Sequence, residues 1–340
     1  MKRLFKLLLV GVLAAGVNAP QESYAAGMKL WTKQFASSGK CRGYSGTAGV
    51  ENFGTHARGF KWPMPKGSAV EFIDRTVRHL NAAAAGGAND KGLRERLLAA
   101  AKQGAYTKND FGAAYGASPS FEQSVMIRAI AHAVSYLRSR NALSGADMKT
   151  IDTWVRALLK TQKQRATSKD HKVSTYSSEI AWGAAIGDKN LFKSGYSKLD
   201  RFLGALRSKP YFDKNVRVNN EVMPVLLMGV HVLRLNGIDL FSKQYGKYSL
   251  HDAVAHHANW VNQTGIKKVK TADPTEPARA LMYSDGAGTH QAWIPLYLAH
   301  FPRSAAASSV RTLHKQVKRA QNIPYYGRNM GVHSACYFGL

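Results

Sequence analysis

Two cysteines in 340 residues, Cys41 and Cys336, are too few for a disulfide-stapled scaffold, and neither has the nearby His-Cys spacing of a zinc site. Acidic side chains are scarce: 21 Asp and Glu stand against 48 Lys and Arg. There is no Gly-x-Ser-x-Gly elbow and no phosphate-binding Gly-rich motif, so nothing supports a hydrolase built on either device. No alternating strand series and no strict repeat can be found. Beyond the N-terminus, no uninterrupted apolar run reaches the roughly 20 residues that span a bilayer.

The N-terminus itself reads as an address. Met1-Lys2-Arg3 precedes a short apolar run from Leu7 to Val17 and the small residues Ala25 and Ala26, the pattern of a secretory signal peptide. Cleavage is expected near Ala25 or Ala26 rather than at Ala19, which Pro20 follows. The expected organisation is therefore a signal peptide over 1–26, an N-terminal arm over 27–66 rich in Gly and Ser, and one domain over 67–340. Removing Lys2, Arg3, Lys6 and Glu22 takes a net 2 from the formal charge of +27, leaving +25. So basic an exported chain is suited to a polyanion: an acidic polysaccharide, an envelope surface or nucleic acid. Nucleic acid has only the charge in its favour, since no nucleic-acid module is recognised. A high pI that merely aids solubility is the alternative. In an oxidising compartment Cys41 and Cys336 can pair and tie the arm to the C-terminus.

From Gly67 onward the periodicity is helical. Val70, Phe72, Ile73, Val77 and Leu80 share one face; Leu93, Leu97 and Leu98 begin another. Amphipathic helices are expected over Phe121 to Arg140, Ala146 to Arg165 and Leu191 to Leu206, the last stopped by Pro210. Tyr176 to Ile186 is apolar all round and should lie deeper. Further helices are expected over Glu221 to Leu235, Tyr248 to Val261, Thr289 to Phe301 and Ala305 to Val317. The fold class is all-α, with antiparallel helical hairpins forming a bundle or a curved array. Between these helices, Ser168 to Tyr176 reads as a polar loop, crowded with groups that donate, accept or move a proton, feeding the buried helix after it.

Several landmarks resemble the alginate lyase family of polysaccharide lyases: His171 followed by Asp188 and Leu191-Phe192, then Met223-Pro224, then Gly237-Ile238-Asp239-Leu240-Phe241, then Ala292-Trp293-Ile294-Pro295-Leu296-Tyr297 through Phe301. The resemblance covers about Phe121 to Phe301. It implies an incomplete (α/α) toroid with a cleft across one end, and β-elimination on a uronate polymer without metal or cofactor. Two departures stand out. Lys169 and Asp170 replace the asparagines that precede the family's histidine. The family's Arg and Tyr would fall near Tyr211 and Val218, so a valine fills the tyrosine slot.

Elimination from a 4-O-linked uronate needs its carboxylate held by cations or donors, its C5 proton removed, and its leaving oxygen protonated. His171 is the candidate neutraliser or base, or else a surface histidine among lysines. Arg217 fits a carboxylate clamp through its bidentate guanidinium, or is a solvated loop arginine. Tyr211, near the family position, and Tyr176 are the candidate proton carriers, with a hydrogen-bonded core tyrosine as the alternative for each. Asn219 and Asn220 are candidates for binding sugar hydroxyls, though Asn219 could instead cap a helix starting at Glu221. Glu122 and Gln123 resemble a substrate-contacting pair of the family, or mark an exposed helix start. Lys163, Arg165, Lys169 and Lys172 form a basic run suited to steering an acidic polysaccharide, or a solvated face. His251, His256 and His257 lack the i, i+4 geometry of a helical metal site and have no fixed acidic partner. Packed histidines are the better account. The alternative to an enzyme is a noncatalytic polyanion-binding protein on the same scaffold.

Overall fold

Eleven α-helices and two short 3-10 turns make up the described residues of the computed structural model, which are 28–30, 53, 68–84, 90–108, 119–164, 166–264, 290–320 and 328–339. The expected signal peptide and nearly all of the expected arm lie outside them. We number the helices α1 (Ala69–Ala84), α2 (Asp90–Lys102), α3 (Pro119–Ser139), α4 (Gly145–Lys163), α5 (Lys169–Ile186), α6 (Lys189–Leu203), α7 (Val216–Leu235), α8 (Leu250–Thr264), α9 (Trp293–His300), α10 (Ala307–Ala320) and α11 (Ser334–Phe338). No helix among the described residues is long and apolar enough to cross a membrane.

The helices start and stop where local chemistry dictates. At α4, Ser144 accepts from the Asp147 amide while Asp147 accepts from Ser144, a reciprocal capping box that satisfies two otherwise orphaned donors. Asp188 caps α6 by accepting from the Leu191 amide. Gly237, at φ +85, follows α7, as the left-handed turn after a helix prefers.

Packing arranges these helices in two layers of an all-α toroid. Helices α1, α3, α5, α7 and α9 each contact the next in that series, while α2, α4 and α6 lie outside them and α8 packs on α10. The buried face of each amphipathic helix meets its neighbours, and α5 is buried on nearly every side because α3, α4, α6 and α7 all touch it. Gly183 permits the closest approach in the α5–α6 hairpin: a Cβ there would stand 2.6 Å from the Phe192 amide nitrogen. Glu179, with no side-chain exposure, is neutralised by Lys163 of α4 at 2.8 Å and Lys198 of α6 at 2.9 Å.

The five inner helices run the same way, so their C-terminal ends share one end of the ring. That end is closed. Asn236 exchanges two hydrogen bonds with Lys29, Tyr337 donates to the Leu30 carbonyl, and the Tyr337 ring packs edge-on against His132 and His231. Inside the ring the fully buried Arg128 donates to the Asn329 carbonyl and to both the carbonyl and hydroxyl of Ser174. Cys336 is buried and disulfide-bonded; Cys41, the only other cysteine of the sequence, lies outside the described residues.

Two expectations need correction. Ser168 to Tyr176 is not a loop, because α5 already begins at Lys169. Ser168 takes the extended backbone of an N-cap, and Asp170 places an acid in the first turn, where the helix dipole favours it. Helix α7 likewise begins at Val216 rather than Glu221. Asn219 is therefore inside the helix and caps nothing.

Candidate functional site

The N-terminal turns of the inner helices meet at the opposite end, which is the open one among the described residues. Phe121 of α3 faces the His171 imidazole of α5, with ring centroids 5.8 Å apart. One turn deeper, the hydroxyls of Ser124 and Ser174 lie 2.6 Å apart. Asp170 of α5 shares a side-chain hydrogen bond with Glu221 of α7, and Gln291, just before α9, donates to Asn220 at 2.7 Å. Helix N-termini present unpaired N–H groups and the positive end of the macrodipole, so their convergence favours an anionic ligand.

His171 keeps 18 % of its side chain exposed, with Nε2 3.7 Å from Asp170 Oδ2. Burial pushes the Asp170 carboxyl upward, but hydrogen bonds from Glu221 and Ser168 and the nearby His171 charge outweigh it, so its pKa is lowered. A hydrogen bond between two carboxyl groups needs one proton. Neither acid was singled out in the sequence. Asp170 looked like a mere departure from an amide, and Glu221 looked like a helix start; only their distance in space makes them a pair.

Segment 211–215 closes the side between α5 and α7. Lys169 reaches across to the Phe212 carbonyl at 3.2 Å and Asp213 at 2.6 Å. Asn219 accepts from the amides of Phe212 and Asp213 and donates to the carbonyls of Asp213 and Asn215. Its amide is fully committed to this turn, which leaves nothing for a sugar hydroxyl. Tyr211, half-buried, stacks on His256 at 5.5 Å beneath the Lys209 ammonium. Its hydroxyl makes no hydrogen bond among the described residues.

The remaining candidates divide. Arg217 sits in the first turn of α7, while its side chain lies outside the described residues; Arg165 lies outside them altogether. Lys172 is exposed beside His171. Lys163 is held by buried Glu179 rather than free to steer a ligand. Tyr176 is not brought to His171. Burial, then the Glu179 charge, raises its pKa against a smaller effect of Arg201, which places the phenol on the α6 side of α5. Glu122 and Gln123 are 1 % and 0 % exposed, which excludes an exposed helix start. Gln123 donates to the Tyr106 carbonyl at 2.9 Å, and Glu122 lies near the buried Arg128 charge. His251 is paired with Tyr297 at 2.7 Å. Among the described residues no group of three or more His, Cys, Asp or Glu side chains is placed to hold a metal ion.

Solved structures share this architecture. Alginate lyase A1-III complexed with tetrasaccharide superposes with a TM-score of 0.62 at 16 % identity, over 92 % of this chain and 88 % of that one. Its apo form gives 0.63 at 15 % identity, over 93 % and 88 %. The crystal structure of alginate lyase A1-III from Sphingomonas species A1 gives 0.62 at 16 %, over 92 % and 88 %. The chain therefore has an alginate lyase-like fold. No protein-family model matches it, and no curated protein matches it by sequence.

Proposed function

We propose that this chain is an exported polysaccharide lyase that cleaves an acidic, uronate-containing polymer by β-elimination at the open end of the ring. The observation that carries this reading is the accessible His171 imidazole, set in the first turn of α5 between Asp170 and Phe121 where the inner helices begin. The fold shared with alginate lyases supports the same class.

In this reading His171 and Arg217 hold the uronate carboxylate, on which charge accumulates as the C5 proton leaves. Tyr211 accepts that proton as the phenolate and becomes the neutral phenol. The electron pair of the C5–H bond becomes the C4–C5 double bond, the C4–O bond breaks, and the leaving oxygen takes the proton shared by the Asp170–Glu221 pair. Asp170 keeps Glu221 oriented. Lys172 contributes to the positive field that draws the polymer in.

The test is to incubate the protein with polymannuronate, polyguluronate, polyglucuronate and glycosaminoglycans while following the near-ultraviolet absorbance of an unsaturated uronate. A rise that His171→Ala and Tyr211→Phe both suppress is expected. Silence across the panel, with tight and salt-sensitive binding, overturns the enzyme in favour of a noncatalytic polyanion-binding protein. Asp170 where the resemblance places an amide, and Val218 where it places a tyrosine, are the observations that favour this second reading.

A further inference from the structure

The turn that follows α2 is held in a conformation that its residues would not choose alone. Tyr106 sits at φ 60, in the left-handed region that a bulky side chain rarely enters. Successive carbonyls pin it there: Ala105 accepts from the Trp154 indole at 2.7 Å, Tyr106 from Gln123 at 2.9 Å and Thr107 from Thr161 at 3.0 Å. Strain that the surrounding packing over-determines in this way gathers at surfaces that hold a ligand.

The same clamp leads to His171. Beyond Thr161 the contacts continue through Gln162, which donates to Thr175 at 3.0 Å, and through Thr175, which donates to the His171 carbonyl at 2.8 Å. An exposed lysine stands beside each landmark: Lys108 after Thr107, Lys160 before Thr161 and Lys172 after His171. Lys102, also exposed, ends α2. None of the four makes an ion pair among the described residues. The acids of α4, Asp147 and Asp152, lie in its first half and are engaged by Arg94 and Arg156.

The helix dipole does not account for this arc. It favours a cation at the C-terminal ends of α2 and α4, where Lys102 and Lys160 stand, but disfavours one at the start of α5, where Lys172 stands. Lys108 belongs to no helix. Helix α4 touches both α2 and α5, so at interaxial spacings of about 8–10 Å the arc runs roughly 20 Å. One sugar acid cannot bridge it.

We propose that Lys102, Lys108, Lys160 and Lys172 form a cationic track outside the ring, along which an acidic polysaccharide lies as it runs outward from His171 over the ends of α4 and α2. The track rests on the reading of the open end as a site for such a polymer and is independent of the elimination chemistry. Its occupant is the polymer rather than an anionic membrane, because a bilayer laid on this rim would cover the His171 end. Exposed ammonium groups read the charge and length of a chain, not the identity of one sugar.

The experiment is calorimetric titration of the whole protein with dimannuronate, octamannuronate and phosphatidylglycerol vesicles, each at low and at high salt. Wild type should bind the octamer at least about ten-fold more tightly than the dimer at low salt, a preference that shrinks as salt screens exposed charges. Lys108→Gln combined with Lys160→Gln should lose roughly five-fold for the octamer and less than about two-fold for the dimer. A control pair with the same change of charge, Lys149→Gln with Lys189→Gln near the starts of α4 and α6, should lose less than about two-fold for either probe. The track is overturned by an octamer bound no more tightly than the dimer, or by an octamer affinity that ignores Lys108 and Lys160. Equal losses from both pairs, which would mean net charge only, overturn it too, as do vesicles bound through these lysines in place of the octamer. Length- and lysine-dependent binding without an unsaturated product sustains the track and removes the lyase reading; product formation with an octamer affinity insensitive to the lysines does the reverse.

Discussion

The two ends of the ring treat buried polar atoms differently. At the closed end and in the hollow behind it, polar side chains are spent on backbone. Arg128 ties α3 and α5 to Asn329, Asn236 grips Lys29, and Tyr337 holds Leu30. At the open end the Gln123 and Gln291 carbonyls, the Trp293 indole and both His257 nitrogens have no such partner. The closed end has exceptions of its own among the described residues: His132 Nε2, the Asn329 amide oxygen, Asn81 Nδ2 and Arg234 Nη1. Satisfied polar groups lock one packing; unsatisfied ones are a stability cost that a functional surface retains. The difference lies in the tethers, since the closed end is tied to Lys29, Leu30 and Asn329.

The strongest test acts on the closed end. Arg128→Met removes the guanidinium donors from three acceptors inside the ring and strips a charge from beside buried Glu122. Unfolding in urea should show a loss of about 3–5 kcal/mol. Gly331→Ala should approach this for a steric reason, since at φ +76 a Cβ would stand 2.6 Å from the Ala129 amide nitrogen. If either variant were as stable as wild type, the C-terminal segment would not be the clamp described here.

His171→Ala is the reciprocal test. Its imidazole is partly exposed and packs on Phe121 at the edge of the core, so stability should move by about 1 kcal/mol or less. Turnover on the preferred polymer should fall on the order of 10²-fold or more. A variant that lost stability and kept its rate would place His171 in the core rather than in the site.

The helices themselves were legible from periodicity, because each buries a stripe that repeats every three to four residues. The Ser144 capping box and the Gly237 stop were legible from residue type alone. The start of α5 was not. Ser168 to Tyr176 carries polar residues on several faces, and only the assembled ring shows that they meet Gln162, Ser124 and Glu221 rather than water. Asn219 misled for the same reason, as its four hydrogen bonds go to residues up to seven positions away, across a turn that no periodicity reports. His257 read as packed, which it is, but its lack of partners is a property of α8 and α9 together. Long-range pairing was thus the illegible part, and the open end consists of little else.

A pH titration of stability compares the ends on one axis. Burial, against or aided by smaller effects, pulls His132 and His333 near the closed end down to about 4, and His257 at the open end down to about 3. These folded-state values lie below the unfolded value near 6.5, so the unfolded chain binds more protons through that window. Stability should therefore fall as pH drops from about 6.5 toward 4, by about 1.4 kcal/mol per pH unit for each such histidine. Asp147 and Asp170, whose folded pKa values are lowered, add losses only below roughly pH 4. His257→Phe should reduce the slope by one proton and leave the closed-end contribution intact. An unchanged slope would mean that His257 is charged and hydrated, against its burial.

The smallest effects separate two lysines that the sequence groups together. Lys169 is committed to Asp213 and the Phe212 carbonyl, yet its side chain is 54 % exposed, so Lys169→Ala should cost no more than about 1 kcal/mol of stability. Lys172 is exposed and makes no ion pair among the described residues, so Lys172→Ala should leave stability unchanged. Its loss should show instead in the capture of a polyanion, as roughly a two-fold slower association at low ionic strength that vanishes once salt shortens the Debye length to about 3 Å near 1 M. Stopped-flow binding of a uronate polymer at two salt concentrations reads both quantities. If Lys169→Ala slowed association as much as Lys172→Ala did, the Asp213 pair would not be holding Lys169 out of the steering field, and the basic run would act as one surface rather than as one strut and one lure.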